Sequence, residues 1–258
     1  MLIHSTAIID SSAKVAATCR VGAYCVIGAN VEIGEDCELM EHVVIHGPTR
    51  IGSHNRIFPH AAIGIEPQDV TYAGEPTRLE IGDHNLVREF VTINRGTVKG
   101  GGATRIGNHV YMMAYAHIGH DCQVGDHAML VNGATLAGHV TVEEWATIGA
   151  MSAVHQFCRV GTHAYIGGGT MATQDVLPFS KTSAARENRA YGLNSVGLQR
   201  RGFSEERIQK LQSAFRTLLG SKLNTSQAVD KLKADADVGE DVALLIRFIE
   251  TSERGVIK

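Results

Sequence analysis

Residues 15–45 read VAATCRVGAYCVIGANVEIGEDCELMEHVVI, and every sixth residue of the stretch is aliphatic: Val15, Val21, Ile27, Ile33, Leu39 and Ile45. The phase extends back to Ile9 and Ile3 and forward through Ile51, Ile57 and Ile63. It resumes at Ile81, Val87 and Ile93. After a shift of one it runs from Ile106 through Met112, Ile118, Val124, Leu130, Leu136, Val142, Ile148, Val154 and Val160 to Ile166. A six-residue period suits neither a helix, at 3.6, nor a hairpin strand, at 2. It predicts a parallel β-helix in which each hexapeptide forms one short side of a coil and points its aliphatic residue inward.

Glycine often follows the aliphatic residue, as at Gly22, Gly28, Gly34, Gly119, Gly149 and Gly167. The expected reason is backbone freedom at the bends. Three hexapeptides close a coil of eighteen residues, and successive coils stack at about 4.8 Å. Residues eighteen apart should therefore lie one above the other.

The repeat is expected over residues 1–180. Two stretches interrupt it, Ile65 to Thr77 (loop at about 65–80) and Asn94 to Arg105, and both read as loops thrown out from the coils. Long loops on a rigid solenoid are where function concentrates. After Asp175 the pattern stops, with Pro178 at the boundary, and residues 181–258 read as a helical domain that covers the open end. Ser204 is a suitable N-cap for SEERIQKLQSAFRTLLG, and further helices are expected over Ser226–Asp235 and Glu240–Thr251.

The chain of 258 residues is 44% hydrophobic with a formal charge of -3, which gives no hint of nucleic-acid binding. It has no apolar run long enough to span a bilayer and no signal-peptide pattern, so stable membrane insertion is not expected. Cys19, Cys25, Cys37, Cys122 and Cys158 lack any CxxC spacing and read as reduced core thiols of a cytoplasmic protein.

The richest chemistry lies in AYAHIGHDCQVG, with His117, His120 and Asp121 around the core residue Ile118. The eighteen-residue rule stacks Gly138 on His120, His139 on Asp121 and Gln156 on Gly138. A histidine beside a glycine with a free N–H pairs a base with an oxyanion donor. The alternative is that these are surface histidines without a task, in a chain that has thirteen.

The strings YAGEPTRLEIGDHN, RGTV, AHIGHDC, LAGHV, AVHQFC, GLNSVG, QRRGFS and SERG occur in order along the chain. In these it resembles the UDP-N-acetylglucosamine O-acyltransferases that begin lipid A synthesis. The resemblance implies a left-handed parallel β-helix with a C-terminal α-helical cap, a cytoplasmic homotrimer, and active sites in clefts between subunits. It further implies transfer of a 3-hydroxyacyl chain from acyl carrier protein to the 3-hydroxyl of UDP-N-acetylglucosamine, with no metal and no cofactor.

Position by position, His120 matches the general base, Asp121 a residue that helps orient it, and the Gly138 N–H the oxyanion donor. Gln68 and Asp69 match glucosamine ligands, with His117 and His139 lining the same cleft. Asn194 and Arg200 match nucleotide contacts, a guanidinium being suited to phosphate. Gly168 matches the residue that measures the acyl chain, where glycine leaves room for a longer one; a plain turn glycine is the alternative. His155 and Gln156 would lie beside that chain or the substrate junction. Arg186, Arg189, Arg200 and Arg201 are basic points able to meet an acidic carrier protein.

The chain departs from the family pattern at Thr71, Asn94, Glu187 and Val196, all toward the sugar-nucleotide end. An acceptor with a 3-amino group, or a non-catalytic paralogue, are therefore alternatives. A carbonic-anhydrase-like zinc site would need three histidines, and His117-x2-His120 lacks the spacing. The N-acyltransferase of the same pathway would carry a domain before the β-helix, whereas here the repeat starts at residue 3.

Overall fold

The computed structural model describes residues 2–183, 189–235 and 238–257. Strands of mostly two residues form three sheets of 11, 9 and 8 strands, parallel except for the last strand of the first, and these are the faces of a triangular prism. No strand of the coils pairs with its sequence neighbour; each pairs with the third one along. His117 and Ile118 pair with Thr135 and Leu136, which pair in turn with Ala153 and Val154, an offset of eighteen at each step. The hexapeptide aliphatics from Val21 to Ile166 are buried in one continuous core, with Cys19, Cys25, Cys37, Cys122 and Cys158 among them, all unpaired thiols. Four of these thiols donate to a carbonyl of the next coil, as Cys25 Sγ does to Met40 O at 2.8 Å.

The two loops show as breaks in that offset. Arg56 pairs with Leu86, thirty residues on, and Leu86 with Tyr111, twenty-five on. The coil thus closes normally beneath each insertion, which leaves both loops outside the prism.

The expectation about the hexapeptide glycines holds at Gly64, with φ 72°, but not at most of the others. Gly22, Gly119 and Gly149 have ordinary φ. A Cβ at Gly119 would instead lie 2.9 Å from the backbone of Ala137, and one at Gly149 2.4 Å from Ile166 O. Glycine is there because the next coil passes too close for any side chain. The left-handed turn residue comes two places later, and it is rarely glycine. Tyr24, His42, His54, His60, His84, Phe90, His109, Tyr115, His127, His139, Trp145, Phe157 and His163 all have φ between 55° and 65°. Their rings stack along the corners: His54 on His84 at 4.6 Å, His84 on His109 at 4.8 Å and His109 on His127 at 4.8 Å.

Beyond the coils, Ser180–Ser183 adds a parallel strand to the first sheet and Arg189–Leu193 returns antiparallel to it. The sheet therefore continues into the segment between coil and cap. Four helices follow: α1 (Ser195–Arg200), α2 (Glu205–Gly220), α3 (Thr225–Lys233) and α4 (Gly239–Glu250). Ser204 caps α2, accepting from Arg207 N, and Asn224 caps α3 in a reciprocal box with Gln227. Ile208, Leu211, Phe215 and Leu218 of α2 pack with Leu245 and Phe248 of α4 in a second core. The C-terminal segment closes the coil itself through an isolated parallel bridge between Val256 and Asp175. Asp175 N donates to Gly255 O and Ile257 N to Asp175 O, and Ile257 is buried in the first core. No helix of the described residues is long and apolar enough to cross a membrane.

Candidate active site

His120 and Asp121 occupy the corner after the strand His117–Ile118, where consecutive turn residues point in different directions. Asp121 takes the left-handed place at φ 62°, which folds its carboxylate back against the coil until the residue is only 4% exposed. There Oδ2 meets His120 Nδ1 at 2.8 Å. The loop of the second insertion completes the arrangement: Thr97 N donates to Asp121 Oδ1 and Thr97 Oγ1 to Oδ2, both at 2.7 Å. Thr104 Oγ1 accepts from Asp121 N. A carboxylate held this way keeps a proton on Nδ1 of a neutral His120 and leaves Nε2 as the acceptor.

The next coil supplies the other half. His139 N donates to His120 O at 2.9 Å, so Gly138 lies against the imidazole as the spacing requires. A Cβ on Gly138 would fall 2.5–2.6 Å from His120 Cε1 and Nε2, so only glycine admits the ring. On the neighbouring corner, N–H groups at the place equivalent to Gly138 are taken by polar side chains of the coil above: Glu35 N by Ser53, Asp83 N by Asn108, Asn108 N by Asp126. Gln156 stands above Gly138 and makes no such bond among the described residues, which leaves the Gly138 N–H available beside Nε2. A base and a donor are thus adjacent, the pair that attack on a carbonyl carbon uses.

His139 stacks on Phe157 at 4.4 Å, stands edge-on to His120, and brings Nε2 to 3.6 Å from Asp121 Oδ2. Burial pushes its pKa down, against the pull of Asp121. His117 bonds Thr92 Oγ1 through Nδ1 at 2.7 Å, and burial followed by the neighbouring His120 lowers its pKa too. Burial thus holds His117 and His139 toward the neutral form beside one buried carboxylate. Donor atoms of His120, Asp121 and His139 lie within 4.8 Å of one another, a set able to hold a divalent cation. Asp121 already accepts three hydrogen bonds there, which leaves it little room for a cation.

The first loop lies over the same corner. Asp69 Oδ1 accepts from Thr71 N and Thr71 Oγ1, both at 2.8 Å. These bonds hold its carboxyl below the usual range, with smaller contributions from Lys99 and His120, which places Asp69 in the field of the histidine. Gln68 is exposed beside it. The two loops are tied together by Asn94, whose Nδ2 donates to Glu66 O, and by Arg95. Arg95 NH1 donates to Gly47 O and Gly64 O, and NH2 to Tyr72 Oη.

Other expected residues lie apart from His120 within one chain. His155 is exposed one coil above Gly138, with Nδ1 at 2.6 Å from Arg254 of the C-terminal segment. Gly168 is exposed on a different corner, with Ala150 O 3.2 Å from where its Cβ would be. Asn194 caps α1 by accepting from Gly197 N, and its Nδ2 donates to His163 O, so in the single chain it has a structural task. Arg200 and Val196 are exposed on α1. Arg201 packs over Trp145. Arg186 and Glu187 lie outside the described residues, as does the side chain of Arg189. Cavities of about 700 Å³ beside Tyr191 and Phe215 and about 570 Å³ beneath Phe248 include neither His120 nor Gly138. Sequence reasoning missed Thr97 and Gly100, where a Cβ would come within 2.0–2.5 Å of the Asp121 carboxyl. It also missed Phe157. Thr97 and Gly100 belong to the loop, where no period places them; Phe157 follows from the eighteen-residue rule applied to His139.

Comparison with known proteins agrees with this architecture. Residues 175–257 match the family model described as Udp N-acetylglucosamine O-acyltransferase, domain 2, and residues 103–138 match the bacterial transferase hexapeptide. The acyl-[acyl-carrier-protein]–UDP-N-acetylglucosamine O-acyltransferase of Xylella fastidiosa is 48% identical over 205 residues, 80% of this chain and 78% of that one. The solved UDP-N-acetylglucosamine acyltransferase of Francisella novicida superposes with a TM-score of 0.96 at 41% identity, covering 99% of this chain and 94% of its own. The corresponding enzyme of Moraxella catarrhalis gives 0.95 at 43%, covering both chains fully. The chain belongs to the UDP-N-acetylglucosamine O-acyltransferase family.

Proposed function

We propose that the protein transfers a 3-hydroxyacyl group from the thioester of acyl carrier protein to the 3-hydroxyl of UDP-N-acetylglucosamine, the first step of lipid A synthesis. The observation that carries the mechanism is the His120 ring, fixed by Asp121 through Nδ1 and laid against Gly138. Nε2 takes the proton of the sugar hydroxyl as its oxygen attacks the thioester carbonyl. The Gly138 N–H receives the developing oxyanion. Collapse of the tetrahedral adduct expels the carrier thiolate, which regains a proton from the His120 imidazolium. Neither step needs a metal or a cofactor.

Gln68 and Asp69, on the loop over His120, hold the glucosamine ring, with His117 and His139 forming the floor. The acyl chain leaves past His155 and Gln156. Gly168, Asn194 and Arg200 reach the reaction from a second copy in a homotrimer, Gly168 bounding the chain and the other two binding the nucleotide. The two cavities named above include neither His120 nor Gly138, which supports that reading, because a cleft there needs another wall.

The test is transfer from 3-hydroxyacyl carrier proteins of several lengths to UDP-N-acetylglucosamine or its 3-amino analogue, with products read by mass spectrometry. Ester product is expected, falling by a factor of about 10²–10⁴ in His120→Ala. Product from the amine alone would replace the acceptor in this reading. No product from either would overturn it.

A further inference from the structure

Lys99 stands at the tip of the second loop, in the 3-10 turn Val98–Gly100 that Thr97 caps. Its Nζ donates to Thr71 Oγ1 at 2.7 Å, and the same hydroxyl donates to Asp69 Oδ1. An ammonium from one loop is thereby joined to the carboxylate of the other, above His120. The two insertions also contain the cations Arg95 and Arg105. Arg95 is buried, with its NH1 and NH2 groups given to two carbonyls and a phenol, and Arg105 is paired with Glu80. Lys99 is exposed, spends one bond on a neutral hydroxyl, and keeps donors to spare.

The charge of the cleft gives those donors a purpose. Asp69, Glu75 and Asp121 are acidic, while His117 and His139 are held toward the neutral form. A sugar nucleotide brings a doubly charged pyrophosphate into these surroundings, and a cation with free donors on the loop side offsets that charge beside Asp69. We propose, resting on the sugar-nucleotide reading above, that Lys99 is a substrate-binding residue whose ammonium contacts the pyrophosphate while Asp69 holds the sugar. Thr97, two residues away, clamps Asp121, so the turn that meets the phosphate is also the turn that fixes the catalytic histidine.

The experiment compares wild type, Lys99→Met and Lys99→Arg. Calorimetry measures the binding of UDP-N-acetylglucosamine at low and high salt, and steady-state transfer is followed alongside. Lys99→Met is expected to weaken binding and raise KM for the sugar nucleotide about ten-fold or more, the loss of one charge-assisted contact. The KM for the acyl carrier protein should stay within about two-fold. The salt dependence of binding should flatten in Lys99→Met and be retained in Lys99→Arg. Unchanged affinity and unchanged salt dependence in Lys99→Met would overturn the proposal, leaving a solvated surface lysine. So would a fall in kcat with affinity unaltered, which marks a purely structural turn. Because binding is read without turnover, a wild type that binds but does not transfer would sink the acyltransferase reading and leave Lys99 testable. A wild type that does not bind would overturn both.

Discussion

Eight of the thirteen histidines occupy left-handed turn positions and most of these stack in ladders, so abundance alone says little about catalysis. His120 differs by one place. It precedes the left-handed residue, and that residue is Asp121, whose carboxylate turns inward to meet it. The value of the pair can be tested with Asp121→Asn, since asparagine tolerates positive φ. Thr97 N–H would keep an acceptor in the amide oxygen, so the turn should survive with an unchanged melting temperature. The amide NH₂ would then face His120 Nδ1, and two donors cannot pair. The imidazole would have to carry its proton on Nε2, the atom that must be bare to act as base. We expect kcat to fall about a hundred-fold or more with KM for the sugar nucleotide little changed. A variant with wild-type kcat would show that Asp121 does not set the tautomer.

At the scale of elements, one ladder histidine, His163, makes stability depend on pH. His163 is sandwiched between Trp145 and Phe179 and meets Phe203 edge-on. Burial first, then Arg201, pushes its pKa from 6.5 down to about 4, and its Nδ1 has no partner among the described residues. In the unfolded chain the same imidazole titrates near its ordinary value. Between about pH 6.5 and pH 4 the unfolded state therefore binds a proton that the folded state refuses. Stability from this site is full above pH 6.5 and is lost as pH falls through that window. His163→Phe keeps the ring in the ladder and removes the titration. Its melting temperature should drop less than that of the wild type between pH 7 and pH 5. Parallel melting curves for the two proteins would assign the acid sensitivity elsewhere, for instance to His117 and His139, which shift the same way.

The same scale shows what the sequence made legible. The period placed the coil strands as far as Tyr165–Ile166, and the eighteen-residue offset stacked Gly138 on His120 and His139 on Asp121 without coordinates. It failed where the period itself stops. Thr97, Gly100 and Lys99 come from an insertion tied down by hydrogen bonds to Thr71 and Asp121, and no spacing rule predicts such contacts. Helix α1 was missed because SVGLQR is six residues long with Leu198 as its one buried side chain, too short for a helical period to emerge. The glycine error had another cause: a glycine chosen for close approach and one chosen for positive φ look identical in a sequence.

The whole molecule raises the question of where the rest of the site lies. His120 with Gly138 sits on one corner of the prism, Gly168 on another, and Arg200 in the cap, so a single chain does not gather them. If three copies assemble around a common axis, each cleft takes His120 from one subunit and Arg200 from its neighbour. Two inactive variants then become a test. His120→Ala lacks the base in every cleft of its own trimer, and Arg200→Ala lacks the nucleotide contact in every cleft of its own. Trimers assembled from equal amounts of both contain clefts in which His120 comes from an Arg200→Ala chain and Arg200 from a His120→Ala chain. Each condition is met half the time, so about one quarter of clefts should be intact and recover that share of wild-type activity. Simple mixing of preformed oligomers should recover nothing, because exchange has not occurred. If co-assembled variants stay at the sum of their separate activities, both residues act within one chain, and the corner at His120 is complete as it stands.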